Sequence, residues 1–179
     1  MLVETENFYI RPITEVDFES SIKNWVLDKK IFAEFNYDIP NSKKEAKEML
    51  VMWVNEYLND EYNWHFLIQD KNNGESIGFV ATKNYKKQAG GSVEIECGLS
   101  SEQWNKGIMS ECLLAFAKYL LLRCDINRVE ARCNASNKSI NRVLEKCGMV
   151  LEGTCRESGS SNRCEKFDEN IYSLLRKDI

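Results

Sequence analysis

The sequence predicts a mixed α/β domain, an α+β arrangement in which helices flank a mostly antiparallel sheet. Three observations carry this. Hairpin signals fill the middle of the chain, where Asn72-Asn73-Gly74 separates two apolar runs. From Val93 onward the order changes to strand, helix, strand, helix. Apolar residues make up 43% and charged residues 29% of the 179 positions, an ordinary globular balance for a chain of this size, which buries roughly 70% of its unfolded surface. The length suits one domain over residues 1–179.

The elements follow in chain order. Asn7 to Arg11 reads as a short strand. Thr14 is placed to cap a helix with Phe18, Ile22, Trp25 and Val26 on one face. Residues 31–41 have no clear period and end near Pro40. Ser42 and Glu45 form a capping box, and behind it Ala46, Met49, Leu50, Trp53, Val54, Tyr57 and Leu58 keep helical spacing. His65 to Gln69 and Ile77 to Thr82 make a hairpin, and Ala89-Gly90-Gly91 is a second turn. Val93, Ile95, Cys97 and Leu99 alternate with Glu94, Glu96 and Gly98, the pattern of a half-buried strand. Gly107 opens a helix running to about Arg123 that is apolar nearly all round and so deeply buried. Ile126 to Cys133 is a strand. Ile140, Val143, Leu144 and Cys147 mark the inner face of a helix that Gly148 ends in the left-handed conformation. Val150 to Arg156 and Phe167 to Leu175 close the sheet.

Composition excludes several classes. A net charge of −4 argues against a nucleic-acid backbone as partner. The longest apolar stretch, Leu113 to Leu122, is broken by Lys118 and is too short to span a bilayer, and the opening MLVETENFYI has no leader pattern, so a cytoplasmic protein with no membrane partner is expected. The seven cysteines contain no C-x-x-C pair and His65 is the single histidine, so reduced thiols packed as small hydrophobes are expected rather than disulfides or a metal centre. Gly74-Glu75-Ser76-Ile77-Gly78 matches G-x-S-x-G, but it sits in the hairpin and not in a strand–turn–helix, so a hydrolase is not indicated.

The segment EIECGLSSEQWNKGIMSE, Glu94 to Glu111, is the informative one. It joins a strand to a buried helix through a lysine and a glycine. A glycine at a helix entry lets a ligand approach the backbone, the first-turn N–H groups are donors without helical partners, and the helix dipole favours an anion. Spacing alone leaves two readings, a pyrophosphate site with Lys106 beside it or an ordinary strand–helix turn.

Trp104-Asn105-Lys106-Gly107-Ile108-Met109-Ser110-Glu111 resembles the acetyl-CoA pyrophosphate loop of the GNAT superfamily of N-acetyltransferases, above all the W-G-K-G-Y-A-T-E of the ribosomal-protein N-terminal acetyltransferase branch. Further matches keep the family's order: Glu4-Thr5-Glu6 with Ile10-Arg11-Pro12, Ile77-Gly78-Phe79, Glu94-Ile95, Asn137 with Val143 to Met149, and Glu152-Gly153 with Arg156, Asp168 and Tyr172 to Leu175. Asn105 stands where the loop usually has glycine. Met109 replaces a small residue and is expected to narrow the space beside the phosphates. Ile140 stands where a serine is usual.

The resemblance implies a GNAT-like sheet with splayed central strands and an acetyl-CoA-dependent transfer to a primary amine, most simply a protein N-terminal amine. Small amines such as a polyamine, antibiotic or amino acid are the alternative acceptors, and a non-catalytic acetyl-CoA sensor is a third reading. It implies cofactor contacts from Cys97 and Leu99 on the exposed strand edge, from Trp104, Asn105, Lys106, Gly107, Ile108, Met109 and Ser110, and from Asn137. It implies no metal, and a monomer or homodimer. Glu94 is the candidate base, with Glu96 in reserve; either can equally be a solvated strand residue. Asp28, Glu34, Asp38, Glu56, Asp60 and Glu61 are candidates for an acidic rim around a cationic acceptor. The position where many superfamily members carry a tyrosine acid is Leu144, and Ser139 is one helical step from the serine position, so no essential side-chain acid is expected.

Overall fold

The computed structural model describes residues 1–35, 38–59, 62–87, 90–161 and 163–179. Eight strands lie in one sheet: β1 (Val3–Glu4), β2 (Phe8–Pro12), β3 (His65–Asp70), β4 (Ser76–Lys86), β5 (Ser92–Leu99), β6 (Arg128–Asn134), β7 (Val150–Ser160) and β8 (Lys166–Leu175). Their order is β1-β2-β3-β4-β5-β6-β8-β7, and the one parallel neighbour pair is β5 with β6. The mixed, mostly antiparallel sheet is the one the sequence predicts. β1, paired with β2 through Val3↔Ile10, is the unanticipated strand; two residues are too few to carry a period-2 signal.

The first helix departs from expectation. A 3-10 turn over Glu15–Asp17 leads into α1 (Phe18–Ser21), which widens into a π-helix over Ile22–Val26. Thr14 does not cap it by accepting a backbone N–H; Asp17 reaches back instead, accepting from the Thr14 N–H at 2.9 Å and hydroxyl at 2.7 Å and pairing with Arg11 at 2.7 Å. The widened turn seats the fully buried Trp25, whose indole donates to Ser76 Oγ at 2.7 Å. That bond also disposes of the G-x-S-x-G match, because Ser76 is buried at the start of β4 and committed to Trp25 and Ser21.

α2 (Lys43–Asn59) begins where the capping box places it. The Glu45 N–H donates to Ser42 Oγ at 3.2 Å, and the Glu45 carboxylate accepts from Asn41, one residue before the cap, at 2.9 Å. α3 (Ile108–Arg123) is as deeply buried as its composition demands, with Cys112, Leu113, Phe116 and Leu120 essentially without exposure. α4 (Lys138–Lys146) is capped by Asn137, whose Oδ1 accepts from the Ser139 and Ile140 N–H groups at 3.1 and 3.3 Å.

The helices divide between the two faces of the sheet. Val93, Ile95 and Leu99 of β5 join the core under α3 and α4. Trp25, Leu50, Trp53, Phe79 and Ala81 form a second core under α1 and α2. Side chains alternate along a strand, so Glu94, Glu96 and Gly98 face the α2 side.

Candidate active site

The two edges of β5 are held differently. On the β4 side the pairing runs through Thr82↔Ile95, Ala81↔Glu96, Val80↔Cys97 and Phe79↔Gly98 to Gly78↔Leu99. On the β6 side it starts at Ser92↔Arg128 and stops at Ile95↔Ala131, although β5 continues to Leu99 and β6 to Asn134. A notch therefore opens between the strands from Glu96 onward. Its causes lie on both walls. Gly78 lets the β4 backbone close on β5: a Cβ there would overlap the Gly98 carbonyl and lie 3.0 Å from Leu99 Cα. The Trp104 indole donates to the Leu99 carbonyl at 2.8 Å and fixes the end of β5. β6 meanwhile stays with β8 as far as Asn134↔Glu169.

The loop after β5 delivers the N-terminus of α3 to this region. Asn105 and Gly107 both take the left-handed conformation, with φ of 62° and 81°. Asparagine enters that region more readily than most residues, so Asn105 keeps the backbone shape that glycine gives the loop elsewhere. The first intrahelical bond of α3 runs from Glu111 N–H to the Gly107 carbonyl at 3.2 Å, which leaves the Ile108, Met109 and Ser110 N–H groups ahead of the helical ladder. A Cβ on Gly107 would meet no atom within 4 Å, so its position opens to free space. Lys106 is exposed and bonded to Gln103 at 2.9 Å. Ile108 and Met109 are buried in the core, so any part they take in anion binding is through their backbone. Bare N–H groups, a helix dipole and a glycine at the entry together fit a pyrophosphate.

On the α2 face, next to Glu96, lies a cavity of about 580 Å³. Asp38, Glu45, Glu56 and Glu96 bring carboxylates to its wall, with Lys83 and His65 among them. Of the two β5 glutamates, Glu96 and not Glu94 lines the cavity. Glu94 is nearly enclosed, with Asn84 Nδ2 at 3.0 Å, Lys83 Nζ at 3.3 Å and Arg132 Nε at 3.8 Å. Glu96 is ion-paired to Lys83. Burial lowers the Lys83 pKa, but Glu96 and Glu94 outweigh it and hold the ammonium above the usual lysine value. Glu94 thus stands behind the wall, beside Lys83.

Of the acidic rim, Asp38 and Glu56 line the cavity. Asp28 is turned elsewhere, accepting the Ser101 N–H at 3.0 Å; burial raises its pKa, but the bonds from Ser101 and Lys30 prevail and leave it below the usual carboxylate value. Glu34 accepts from the Asn137 side-chain amide at 2.8 Å, so Asn137 spends its side chain on the α4 cap and on this link across the fold. Asp60 and Glu61 fall outside the described residues. Leu144 is buried, and Ser139 is exposed on the first turn of α4.

All seven cysteines are free thiols. Cys97, Cys112, Cys133 and Cys147 sit together on the α3 face, and burial pushes their thiols up, to about 12 for Cys133 and about 11 for Cys147, so they stay protonated and inert at neutral pH. Among the described residues no group of three or more His, Cys, Asp or Glu is arranged to hold a metal ion, and no helix is long and apolar enough to cross a membrane.

The sequence reading passes over His65 and Trp53 as functional residues, and it takes Glu56 only as part of an acidic rim. His65 lies in the cavity wall, its ring stacked on Trp53 with centroids 4.0 Å apart and planes 9° apart. Its Nδ1 faces Glu56 Oε2 at 3.2 Å. The available signal is the spacing along α2: Glu45, Met49, Met52, Trp53 and Glu56 all line the cavity, on one helical face.

A family model for the acetyltransferase (GNAT) domain matches residues 7–150. The chain is 25% identical over 174 residues to "Uncharacterized N-acetyltransferase p20" of Bacillus licheniformis, covering 97% of this chain and 96% of that one. Its fold is similar to that of a GNAT-family acetyltransferase from Bacillus anthracis (TM-score 0.84, 21% identity, 99% of each chain). It is equally similar to RimL, a ribosomal L7/L12 α-N-protein acetyltransferase solved in complex with coenzyme A (TM-score 0.84, 20% identity, 98% of each chain).

Proposed function

The chain belongs to the GNAT acetyltransferase family and is an acyltransferase; from that premise we propose that it is an acetyl-CoA-dependent N-acetyltransferase that acts on a protein N-terminal amine. The observation that carries the reading is the notch between β5 and β6, opening beside the bare N-terminus of α3 on one side and the acidic cavity on the other. The position of β8, beyond the matched segment but between β6 and β7, supports reading residues 1–179 as one acetyltransferase domain.

The residues present fit coenzyme A. The N–H groups of Ile108, Met109 and Ser110, with Gly107 leaving the approach clear and Asn105 and Lys106 shaping the turn, would hold the pyrophosphate. The free edge of β5 near Cys97 and Leu99 would pair with the extended arm, and Trp104 secures that edge through the Leu99 carbonyl. When bound, acetyl-CoA supplies an acetyl group activated as a thioester. The chain's own residues then bind the acceptor: Glu96, fixed by Lys83, presents a carboxylate to the incoming ammonium, and Glu94 holds Lys83 from behind. Ser139 is exposed and Leu144 has no proton to give, so the departing thiol takes its proton without a dedicated side chain. The acyl acceptors of the RimL-type neighbours support a protein amine. The cavity's four carboxylates against Lys83 favour, as the second reading, a small cationic amine.

An acceptor panel separates these. The protein, incubated with acetyl-CoA and either N-terminal peptides or free amines, is assayed for thiol release. Turnover with peptides is the expected result. Turnover restricted to small amines moves the acceptor class, and CoA binding without turnover on any amine leaves a sensor.

A further inference from the structure

We infer that His65, stacked on Trp53 beside Glu56, is the group that takes the proton from the acceptor's ammonium; this rests on the acetyl-transfer reading above. An amine must shed a proton before it can attack a thioester, and a carboxylate locked to a lysine is a poor acceptor for it. Glu96 is in that position, paired with Lys83. The cavity wall carries one side chain of another kind, the chain's single histidine. Imidazole is the side chain whose ordinary titration spans neutral pH.

The geometry around the ring is that of an oriented base. Trp53 stacks on its face at 4.0 Å, which fixes the ring plane and offers a π-surface to the charged form. Glu56 Oε2 lies 3.2 Å from Nδ1; both atoms are shut off from solvent and, as placed, neither makes a hydrogen bond. A carboxylate next to Nδ1 favours the tautomer with the proton on that nitrogen. Because Nδ1 is covered and the ring lines the cavity, the nitrogen left to meet an acceptor is Nε2. The ladder places His65 opposite Ala81 and Ala81 opposite Glu96, so His65 stands two strands from Glu96, roughly 10 Å, across one continuous cavity wall. A proton would cross that separation through water admitted to the open cavity.

The proton step balances simply. One N–H bond of the bound ammonium breaks, its electron pair stays on nitrogen, and the proton moves through water to Nε2, giving a neutral amine and an imidazolium facing Glu56. The charged groups lining the cavity that His65 borders are Glu45 and Glu56 from α2, Asp38 from the segment before it, Lys83 from β4 and Glu96 from β5.

The single histidine makes a direct test available. In protein labelled with 15N-histidine, neutral His65 is expected as the Nδ1–H tautomer, and Glu56→Gln should shift the population toward Nε2–H. An Nε2–H majority in the unaltered protein overturns the inference without reference to any substrate. On an acceptor that the unaltered enzyme acetylates, His65→Gln should lower kcat roughly 100-fold at neutral pH with unchanged CoA affinity, and the loss should shrink above about pH 9, where the amine deprotonates unaided. His65→Ala, checked for an intact melting transition, should recover activity with added imidazole. A kcat within twofold, or a deficit equal at every pH and untouched by imidazole, assigns His65 to packing alone. Absence of turnover in the unaltered enzyme would fall on the transfer reading instead, and the tautomer measurement still decides the inference.

Discussion

The two edges of β5 belong to one strand and share one sequence, yet one is sealed and the other open. The β4 edge is paired through Gly78↔Leu99, with two backbones in such close approach that no Cβ fits at position 78. The β6 edge is paired through Ile95↔Ala131 and then released. The sealed edge is a matter of packing, and the open edge is where backbone groups are left for something other than the protein. The difference teaches that the site is made less by special side chains than by where a ladder stops.

Substitutions can break each edge separately. The largest effect is expected from Gly107→Glu, beside the open edge. A side chain at φ 81° would stand in the anion's approach and bring a negative charge, so CoA affinity should fall at least about 100-fold in a calorimetric titration. Its cost to the fold should stay near 1–2 kcal/mol, since the new Cβ meets nothing. Gly78→Ala attacks the sealed edge and should do the reverse. Backbone atoms stand in the way, so denaturant unfolding should report a loss of about 3 kcal/mol, and the melting temperature should drop by roughly 6–12 °C.

A smaller effect sharpens the comparison along the strand itself. Glu96 lines the cavity and Glu94 does not, so Glu96→Gln should reduce kcat/KM for a cationic acceptor roughly tenfold or more, and Glu94→Gln by less. The opposite ranking would return the main role to Glu94.

The smallest effect concerns how β6 is tied to β7 and β8 at the end that still pairs with β5. Arg128 on β6 donates to Glu152 on β7 at 2.7 Å, and Ser173 on β8 donates to the same carboxylate at 2.7 Å. The Arg128 bond, then that of Ser173, lowers the Glu152 pKa to about 2. A carboxylate whose folded pKa is depressed contributes stability above its unfolded value and loses it as pH falls through the folded one. Between about pH 4.5 and 2, then, the protein should lose this contribution, and Arg128→Met should remove that part of the acid limb. The pair is 24% and 40% exposed, so solvent screening keeps the difference under about 1 kcal/mol.

Much of this was legible in the residues. The Val93 to Leu99 alternation, the all-round apolar α3 and the Ser42–Glu45 cap are local signals, and each element forms where its signal lies. The loop from Trp104 to Ser110 could be read because its backbone conformation demands glycine or asparagine at fixed places. What could not be read is long-range. Nothing local tells that Ser76 is committed to Trp25 or that Lys83 ties Glu94 behind the wall. The meeting of His65 with Glu56 was hidden for the same reason: they are nine residues apart in the chain and become neighbours only when α2 lies across β3.

The most direct test of the open edge is residue-resolved amide hydrogen exchange with and without CoA. The expected result is new protection at Cys97 to Leu99 of β5 and at Gly107 to Ser110, with the Gly78 to Thr82 stretch of β4 unchanged. Protection confined to other surfaces, with the amides of Cys97 to Leu99 and Gly107 to Ser110 exchanging as before, would contradict it.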